Sequence, residues 1–502
     1  MSIPLHITLE PVLIPYLSTA LLALFVWFSL ERPKTANFPL INKKREPFDI
    51  AGIDLVRNWL TRNGDQPVNV TADTGPFTIL PAKYANELRD RPELNFAKLN
   101  YTKFHGGIPG FEAFRQGTRP ISAKVVNTYM TRSLARITKP VADEVIVALQ
   151  DLYPGNPDWQ EIAPGELNML LTTRATARIF LGEGVCRDMN WVKATCEYTG
   201  AIFVAADKLR AWPAILRPIV HWFLPACQHT RFVMKQAKDI IEPVLAKRRQ
   251  LIQQLIAQGK STEDFNAAPE WFEQASNGGR LDYDPVAAQL FLAVGANHST
   301  ADLLTQTMLQ IALHPEYIEP LCDEIRTTIL RNGWTHNALL KMELMDSVLK
   351  ESMRLKPTDV FTMRRLVTED MTLSDGTFFP KSSMLSVSAL RMWDAAVYDD
   401  PDNFDGYRWL RMRQNNPTKQ SQAQFVAVTP DHMGFGFGQH SCPGRFFASN
   451  VIKTMLSHLL LNYEWKLADP TRPIKHQEWG GTLRVDPGVR MLVRKRAEPI
   501  TI

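Results

Sequence analysis

A glycine-rich stretch that begins at Phe435, FGFGQHSCPG, places one cysteine directly before an apolar helical pattern. A helix amino terminus lowers a thiol pKa through its free N–H groups and its dipole. Gly436, Gly438 and Gly444 let the backbone turn sharply and approach the sulfur closely. Phe435 can shield the sulfur from water. The stretch therefore predicts that Cys442 is an anionic, metal-binding sulfur.

Three other roles for this stretch fit less well. A buried structural cysteine is the commonest role of any single cysteine. A zinc site through His440 and Cys442 needs two further ligands at regular spacing, and the sequence offers none. A dinucleotide loop needs G-x-G-x-x-G, which is not completed here. The five cysteines are dispersed without a C-x-x-C pair, so a disulfide framework is not expected.

The stretch resembles the heme-binding signature of the cytochrome P450 family, F-x-x-G-x-R-x-C-x-G. Phe435, Gly438, Cys442 and Gly444 occupy four of its five fixed positions, and His440 stands at the arginine position. The resemblance implies a b-type heme with Cys442 as the axial ligand of its iron. It also implies that the other four residues bind the heme.

Two further marks of the family concern structural support. Glu351 and Arg354 form an E-x-x-R pattern, and a spacing of three places both side chains on one helix face. A P-x-x-F pattern from Pro401 to Phe404 is followed by Arg408. In the family this arginine joins the E-x-x-R pair. The resemblance therefore implies a buried triad of Glu351, Arg354 and Arg408.

The fourth mark lies in a long apolar segment, where GANHST starts at Gly295. It resembles the oxygen-activating pattern (A/G)-G-x-(D/E)-T-(T/S), which kinks a helix over the heme and supplies a hydroxyl that relays protons to bound dioxygen. His298 replaces the acid and Ser299 the threonine, while Thr300 offers a second hydroxyl. A histidine can pass protons near neutral pH, although a lone histidine on an apolar helix is more often a core residue.

The heme propionates need cationic or donor partners. Arg365, five residues before Asp370, lies where relatives carry a propionate arginine, and His440 is the second candidate. The family's W-x-x-x-R heme contact is not apparent between residues 110 and 140.

The elements that position these residues are mainly helical. The resemblance implies a cytochrome P450 fold, mainly α with small β-sheets. An N-cap at Asp284 begins the longest apolar helix, which ends near residue 314. A second helix is predicted over about 336–356, and strands over 68–73 and 491–496.

The amino terminus predicts a membrane anchor. Residues 11–30 carry no charge, about the length that spans a bilayer. Lys and Arg appear only after this segment, which places the rest in the cytosol. A cleaved signal peptide fits less well, because no basic segment precedes the apolar run. We expect an anchor over 1–31, a proline-rich basic hinge over 32–49 and a catalytic domain over 50–502, on the endoplasmic reticulum as a single-pass protein.

The net charge of +5 is too small to indicate a nucleic-acid partner. The resemblance implies that electrons come from NADPH through a membrane-bound NADPH–cytochrome P450 reductase. The substrate is expected to touch segments that are mainly apolar, which predicts a lipophilic molecule reached from the membrane. These segments are 104–114, 202–227, the long helix near Val294, Val360 with Phe361, and the glycine pair 480–481.

The segment 202–227 either dips into the membrane surface or forms a pair of core helices. The form H-x-C-P-G-R-F-F-A of the cysteine loop is similar to fungal members that oxidise terpenoids and related secondary metabolites. Terpenoid, meroterpenoid and indole-diterpene scaffolds are therefore the expected substrates.

The expected activity is a monooxygenase reaction that puts one atom of dioxygen into the substrate. A heme-thiolate isomerase or dehydratase that needs no oxygen is the first alternative, because His298 and Ser299 depart from the family pattern. A non-catalytic heme-binding membrane protein is the second.

Overall fold

The structure is a computed structural model of the 502-residue chain. It describes residues 16, 18, 19, 22 and 35–498, apart from 264, 277, 278 and 280. Most of the predicted anchor and the first residues of the predicted hinge lie outside this part. Within it, no helix combines the length and apolar character that crossing a membrane requires.

Helices form most of the described chain, as predicted. In chain order they are α1 (Arg45–Arg62), α2 (Ala85–Leu88), α3 (Phe96–Lys103), α4 (Glu112–Gly117), α5 (Pro120–Lys124), α6 (Leu134–Leu152), α7 (Pro164–Phe180), α8 (Glu183–Cys186), α9 (Met189–Arg210), α10 (Arg217–Val220), α11 (Pro225–Ala257), α12 (Ala268–Ala275), α13 (Pro285–Leu313), α14 (Ile318–Asn332), α15 (His336–Leu340), α16 (Glu343–Leu355), α17 (Arg408–Asn415) and α18 (Arg445–Asn462). A π-helical segment, Val125–Met130, separates α5 from α6.

The strands are short, and they form small sheets beside the helices. In chain order they are β1 (Val68–Ala72), β2 (Gly75–Leu80), β3 (Leu94–Asn95), β4 (Gln160–Ile162), β5 (Phe361–Val367), β6 (Met371–Thr372), β7 (Phe378–Phe379), β8 (Met384–Ser388), β9 (Tyr463–Leu467), β10 (Gln477–Trp479), β11 (Thr482–Arg484) and β12 (Met491–Lys495). The largest sheet has the order β1-β2-β8-β5-β3, and a second has the order β4-β12-β9. The two predicted strands correspond to β1 and β12.

Helix α13 runs through the centre of the fold, as its apolar sequence predicts. The Asp284 carboxylate accepts hydrogen bonds from the backbone N–H groups of Val286 and Ala287 at 2.9 and 3.0 Å, and Pro285 follows the cap. These contacts satisfy N–H groups that a helix start leaves free. The helix continues to Leu313 without interruption.

The helix predicted over 336–356 is two helices, α15 and α16. The backbone of Met342, at φ −78° and ψ 80°, leaves the helical region between them. The Glu324 carboxylate accepts hydrogen bonds from the N–H groups of Leu344 and Met345 at 2.7 and 2.9 Å. These contacts satisfy free N–H groups at the start of α16, so a new helix begins there. The buried Lys453 ammonium donates to the carbonyl of Leu339 at 2.7 Å, which satisfies the end of α15. Contacts from distant segments therefore divide the helix.

The predicted hinge continues into α1, which begins at Arg45. Just before it, the Asn42 side chain donates to the carbonyl of Thr71 at 2.7 Å, and Leu40 pairs with Asn69 of β1. The segment from Leu40 onward is therefore held against the first sheet.

The segment 202–227 is a pair of core helices only at its two ends. It begins in α9, where Ile202 and Leu209 are fully buried, and it ends in the first turn of α11, where Cys227 is fully buried. Turns and the four-residue helix α10 lie between them, and there Ile219, Trp222 and Phe223 are 61%, 52% and 75% exposed.

Candidate active site

Two glycines shape the cysteine loop. Gly436 and Gly438 have φ values of 72° and 77°, a region that side chains disfavour. A Cβ on Gly438 would also lie 2.4 Å from Cβ and 2.6 Å from the carbonyl oxygen of Arg89. The backbone N–H of Cys442 donates to the carbonyl of Phe435 at 2.7 Å, which closes the loop.

The Cys442 sulfur accepts hydrogen bonds from the backbone N–H groups of Gly444 and Arg445 where α18 begins. Burial raises the pKa of the Cys442 thiol, and these N–H groups with the Arg445 charge only partly oppose it. The sequence predicted a lowered pKa from the helix start alone, so the structure reverses the direction for the metal-free thiol. A coordinating metal would itself remove the thiol proton.

Cys442 does not belong to a cluster of metal-binding side chains in the described chain. The five cysteines are all free. Across the described chain, no cluster of three or more His, Cys, Asp or Glu side chains could hold a metal ion. A zinc site through His440 is therefore not formed by these residues. One sulfur on a partly exposed cysteine suits an iron that arrives with four nitrogen ligands of its own, as in heme.

Arg365 on β5 is a buried cation without an anionic partner. It is 3% exposed, and its Nη1 donates to the carbonyl of Arg364 at 2.8 Å. Its guanidinium lies 5.4 Å from the centre of the Phe96 ring, and no carboxylate of the described residues forms an ion pair with it. Burial lowers the pKa of Arg365 to about 10. An uncompensated buried charge is costly, so the site fits an anionic group such as a heme propionate.

His440 lies near the same place. Its ring centre is 6.1 Å from that of Phe96, the ring that Arg365 also contacts. Burial and then the charge of Arg365 lower the pKa of His440, and the residue as a whole is exposed. The two sequence-predicted propionate partners thus converge on one aromatic ring.

Helix α13 has an open face in its middle. Phe291 and Val294 are partly exposed, and Gly295 and Ser299 are exposed, whereas the positions around them are mostly buried. This spacing of three and four residues defines one helix face. A Cβ on Gly295 would meet no atom within 4 Å. The face therefore borders an opening large enough for a ligand to approach the backbone.

The three predicted catalytic residues differ in placement. Ser299 lies on the open face, and Thr300 is only 6% exposed. Nε2 of His298 is buried and has no hydrogen-bond partner among the described residues. Burial, and then the charge of Arg484, lower the pKa of His298 to about 4. His298 is therefore neutral at pH 7 and would relay a proton by exchanging tautomers, not by holding a charge.

Asn297, directly before His298, carries a structural contact that the sequence did not indicate. Its Oδ1 accepts from the hydroxyl of Thr176 on α7 at 2.8 Å, and it is 1% exposed. This contact fixes the rotation of α13 about its axis, which keeps Gly295 and Ser299 on the open face.

The predicted triad forms one buried network. Arg354 donates from Nε and Nη2 to the Glu351 carboxylate at 2.9 and 2.8 Å, and both residues are 0% exposed. Arg408 donates from Nε to the same carboxylate at 3.0 Å. The indole N–H of Trp409, which the sequence analysis missed beside Arg408, adds a bond of 3.1 Å.

Arg354 also reaches out of its helix to the irregular chain that follows β8. Its Nη1 donates to the carbonyls of Met392 and Pro401, both at 2.7 Å, and its Nη2 to that of Asn403 at 3.3 Å. The network therefore connects α16 to the segment that leads toward the cysteine loop.

The predicted substrate segments meet in two groups. The Phe104 and Phe114 rings stack at 4.1 Å, and Phe203 of α9 lies 5.5 Å from Phe104. Phe291 of α13 packs so closely on Gly117 that a Cβ there would lie 2.6 Å from its ring. Three of the predicted segments thus converge beside the open face of α13.

The second group joins β5 to the turn between β10 and β11. The N–H of Val360 donates to the carbonyl of Gly481 at 2.9 Å. Gly481 has a φ of 82°, and a Cβ on it would lie 2.2 Å from the Phe361 ring. Glycine is required at this turn because the ring occupies the place of a side chain.

Comparison with known proteins gives one family. A family model described as Cytochrome P450 matches residues 115–493, well over half of the chain. The chain is 41% identical over 478 residues to Cytochrome P450 monooxygenase hepE of Aspergillus oryzae, a match that covers 92% of this chain and 87% of that protein.

Other relatives are similar over comparable lengths. A cytochrome P450 monooxygenase 1 of Gibberella fujikuroi is 42% identical over 440 residues, 87% of this chain and 99% of that protein. Dihydromonacolin L monooxygenase mokC of Monascus pilosus is 36% identical over 460 residues, 91% of this chain and 86% of that protein.

Adjacent arginines on β5 provide a test of the propionate site. Arg364 points to the opposite face, where it donates to the carbonyl of Phe361 at 2.9 Å and faces Asp359 at 3.7 Å. Arg365→Met should speed heme loss to a heme scavenger by about tenfold, because one charge-assisted contact is removed. Arg364→Met should retain heme as the unaltered protein does. Equal rates of heme loss for the two variants would contradict the assignment.

Proposed function

The chain belongs to the cytochrome P450 family and is a cytochrome P450 monooxygenase, and from this we propose that it oxidises a lipophilic terpenoid or meroterpenoid intermediate of secondary metabolism at a membrane surface. Family members use heme iron and electrons that reach it from NADPH through a reductase. The observation that carries the proposal is the apolar, aromatic wall beside the open face of α13.

That wall supports a lipophilic substrate. Phe104, Phe114 and Phe203 form one aromatic cluster, and Phe291 and Val294 border the opening from α13. Apolar walls with few polar groups favour ligands that bury hydrophobic surface. The relative mokC is named as a dihydromonacolin L monooxygenase. The terpenoid class rests on the form of the cysteine loop.

Each residue of the site would have a separate role in binding the heme or in moving a proton. Cys442 would hold the heme iron through its sulfur, and Arg365 with His440 would receive the propionates. When bound, the heme supplies activation of dioxygen, so that one oxygen atom enters the substrate. Ser299 would hold a proton at its hydroxyl on the open face of α13. The His298 imidazole, whose Nε2 is buried, would supply that proton.

A basic surface supports the reductase as partner. Val126 and Met130 are the nearest side chains to the position of a Cβ on Gly444, at 4.0 and 3.8 Å. Arg132 follows Met130 by two residues and is exposed. An exposed cation close in sequence to these side chains would attract an acidic electron donor.

An exposed apolar surface supports the membrane location. Trp222 and Phe223 project from the turns between α9 and α11, and Ile50 of α1 is 72% exposed. Arg45 connects these elements, because it pairs with Asp207 of α9 at 2.6 Å. Large exposed apolar side chains favour insertion at the interface of a bilayer. We place the protein on the cytosolic side of the endoplasmic reticulum, attached by its amino-terminal segment.

The membrane location is tested with an environment-sensitive dye on the full-length protein in phospholipid vesicles. A dye on Phe223→Cys should shift its emission to shorter wavelength, because it enters the apolar interface. The same dye on Leu330→Cys, a site on α14 that is 62% exposed, should report water. Identical emission from both sites would exclude insertion of the α9–α11 turns.

The relay is tested by coupling between NADPH use and product. Ser299→Ala should reduce product formed per NADPH by about tenfold or more, because a positioned proton donor is lost. Thr300→Ala removes a buried hydroxyl one residue away and should leave coupling nearly unchanged. The opposite ranking of these variants would assign the relay to Thr300.

The thiolate and the reaction are tested together. Reduced protein with carbon monoxide should show the red-shifted thiolate Soret band, and Cys442→Ala should lose it, whereas Cys322→Ala, a buried cysteine on α14, should keep it. Retention of the band by Cys442→Ala would falsify the ligand assignment.

Activity is measured by expressing the chain with a reductase, feeding candidate terpenoids and analysing products by mass. We expect products heavier by oxygen that depend on NADPH. Product formation without NADPH would instead establish the isomerase or dehydratase. Failure to convert any lipophilic candidate with active reductase would favour a non-catalytic heme protein.

A further inference from the structure

We propose that Lys350 is a positioning residue for the thiolate ligand, acting through the irregular segment 422–435. It lies beside Glu351 on α16 but belongs to no part of the triad. The inference concerns the loop that holds the sulfur, and it holds for any substrate.

The Lys350 ammonium is completely enclosed and uses all three of its N–H groups. The residue is 0% exposed. Nζ donates to the carbonyls of Gln422, Gln424 and Ala427 at 2.9, 2.8 and 3.0 Å. It also lies 4.8 Å from the centre of the Trp409 ring, within the range of a cation–π contact. The Lys350 side chain therefore binds three carbonyl oxygens of one short segment.

Segment 422–435 is held by side chains of other elements and not by regular secondary structure; besides Lys350, the Asp346 carboxylate accepts the N–H of Phe425 at 3.3 Å. Residues 422–435 form turns and bends without a helix or a strand. Buried carbonyls without donors are costly, and here three of them point at one place. Lys350 satisfies them together, so it defines the path of the chain there.

Contacts continue from Lys350 to the cysteine loop. Between two of the clamped carbonyls lies Phe425, which is 0% exposed and whose ring lies 5.2 Å from that of Phe435, in an edge-on arrangement. The Phe435 carbonyl accepts the N–H of Cys442 at 2.7 Å. A displacement of the clamped carbonyls therefore shifts Phe425, then Phe435, then the backbone of the ligand.

Close packing farther along prevents the segment from absorbing such a shift. Nε2 of His432 lies 3.3 Å from the carbonyl oxygen of Lys350 itself. A Cβ on Gly434 would lie 2.3 Å from the sulfur of Met353, on the next turn of α16. The segment thus touches α16 again just before Phe435, so it moves with the helix as one unit.

Lys453 of α18 provides a matched control. It is 2% exposed, and it donates to the carbonyls of Leu339 and Met342 at 2.7 and 3.3 Å. It also pairs with Asp346 on α16 at 2.5 Å. Its carbonyl contacts hold the corner between α15 and α16, and it reaches segment 422–435 only indirectly, because Asp346 also accepts the N–H of Phe425 at 3.3 Å. Loss of either lysine leaves buried groups unsatisfied, but of the two only Lys350 donates directly to carbonyls of that segment.

The test compares Lys350→Met and Lys453→Met in the full-length holoprotein. Both should melt at a lower temperature, because each leaves buried carbonyls without donors. Lys350→Met should reduce the ratio of thiolate to thiol Soret band in the reduced carbon monoxide complex by about tenfold and shift the heme reduction potential, and both changes should be much smaller in Lys453→Met. An unchanged ratio and potential in folded Lys350→Met, or equal changes in both variants, would overturn the proposal.

A second variant tests the proposal if Lys350→Met does not accumulate as holoprotein. Lys350→Arg keeps the charge and the donors, but its planar, longer head places them differently against the three carbonyls. The proposal predicts that this protein folds with an altered reduction potential. A folded Lys350→Arg with the potential and band ratio of the unaltered protein would refute positioning by Lys350.

Discussion

The buried pair of Glu351 and Arg354 is the interaction on which the rest of the active region depends. Removing both charges from water is expensive, and their mutual attraction alone rarely compensates for it. Here the remaining hydrogen-bonding capacity is filled by Arg408, by Trp409 and by three backbone carbonyls. Loss of one partner would leave an uncompensated buried charge, so the network forms as a whole.

Helix α16 transmits this constraint to the cysteine loop. The chain after β8 contains long irregular stretches, whose backbone groups cannot satisfy one another as in a helix or sheet. Side chains of α16 supply the missing partners. Ser347 accepts from the N–H groups of Trp409 and Leu410, both at 3.1 Å, and Arg354 and Lys350 donate to carbonyls on either side. The loop that carries Cys442 is therefore positioned by a helix far away in sequence.

The sequence predicted the local features well. The N-cap and length of α13, the strands β1 and β12, and the turns at Gly436 and Gly438 depend on residue type and on near neighbours. The sequence did not predict the features that depend on contacts between segments distant along the chain. The break at Met342 arises from Glu324 and Lys453, and the role of Asn297 from Thr176 on another helix. The pKa of the Cys442 thiol is raised where the sequence predicted a lowered value, because the desolvation of the sulfur depends on all the segments packed around it.

The sequence by itself determined the chemistry of the protein. Cys442, the glycines around it and the E-x-x-R pattern are matters of residue type and spacing, and these are sufficient to indicate a heme-thiolate site. Only the tertiary structure decided which side chains face one another. Arg365 is a buried cation with no anionic partner among the described residues, Ser299 rather than Thr300 lies on the open face, and Lys350 donates to three carbonyls. Those outcomes depend on which surfaces are buried together, and spacing along the chain does not encode burial.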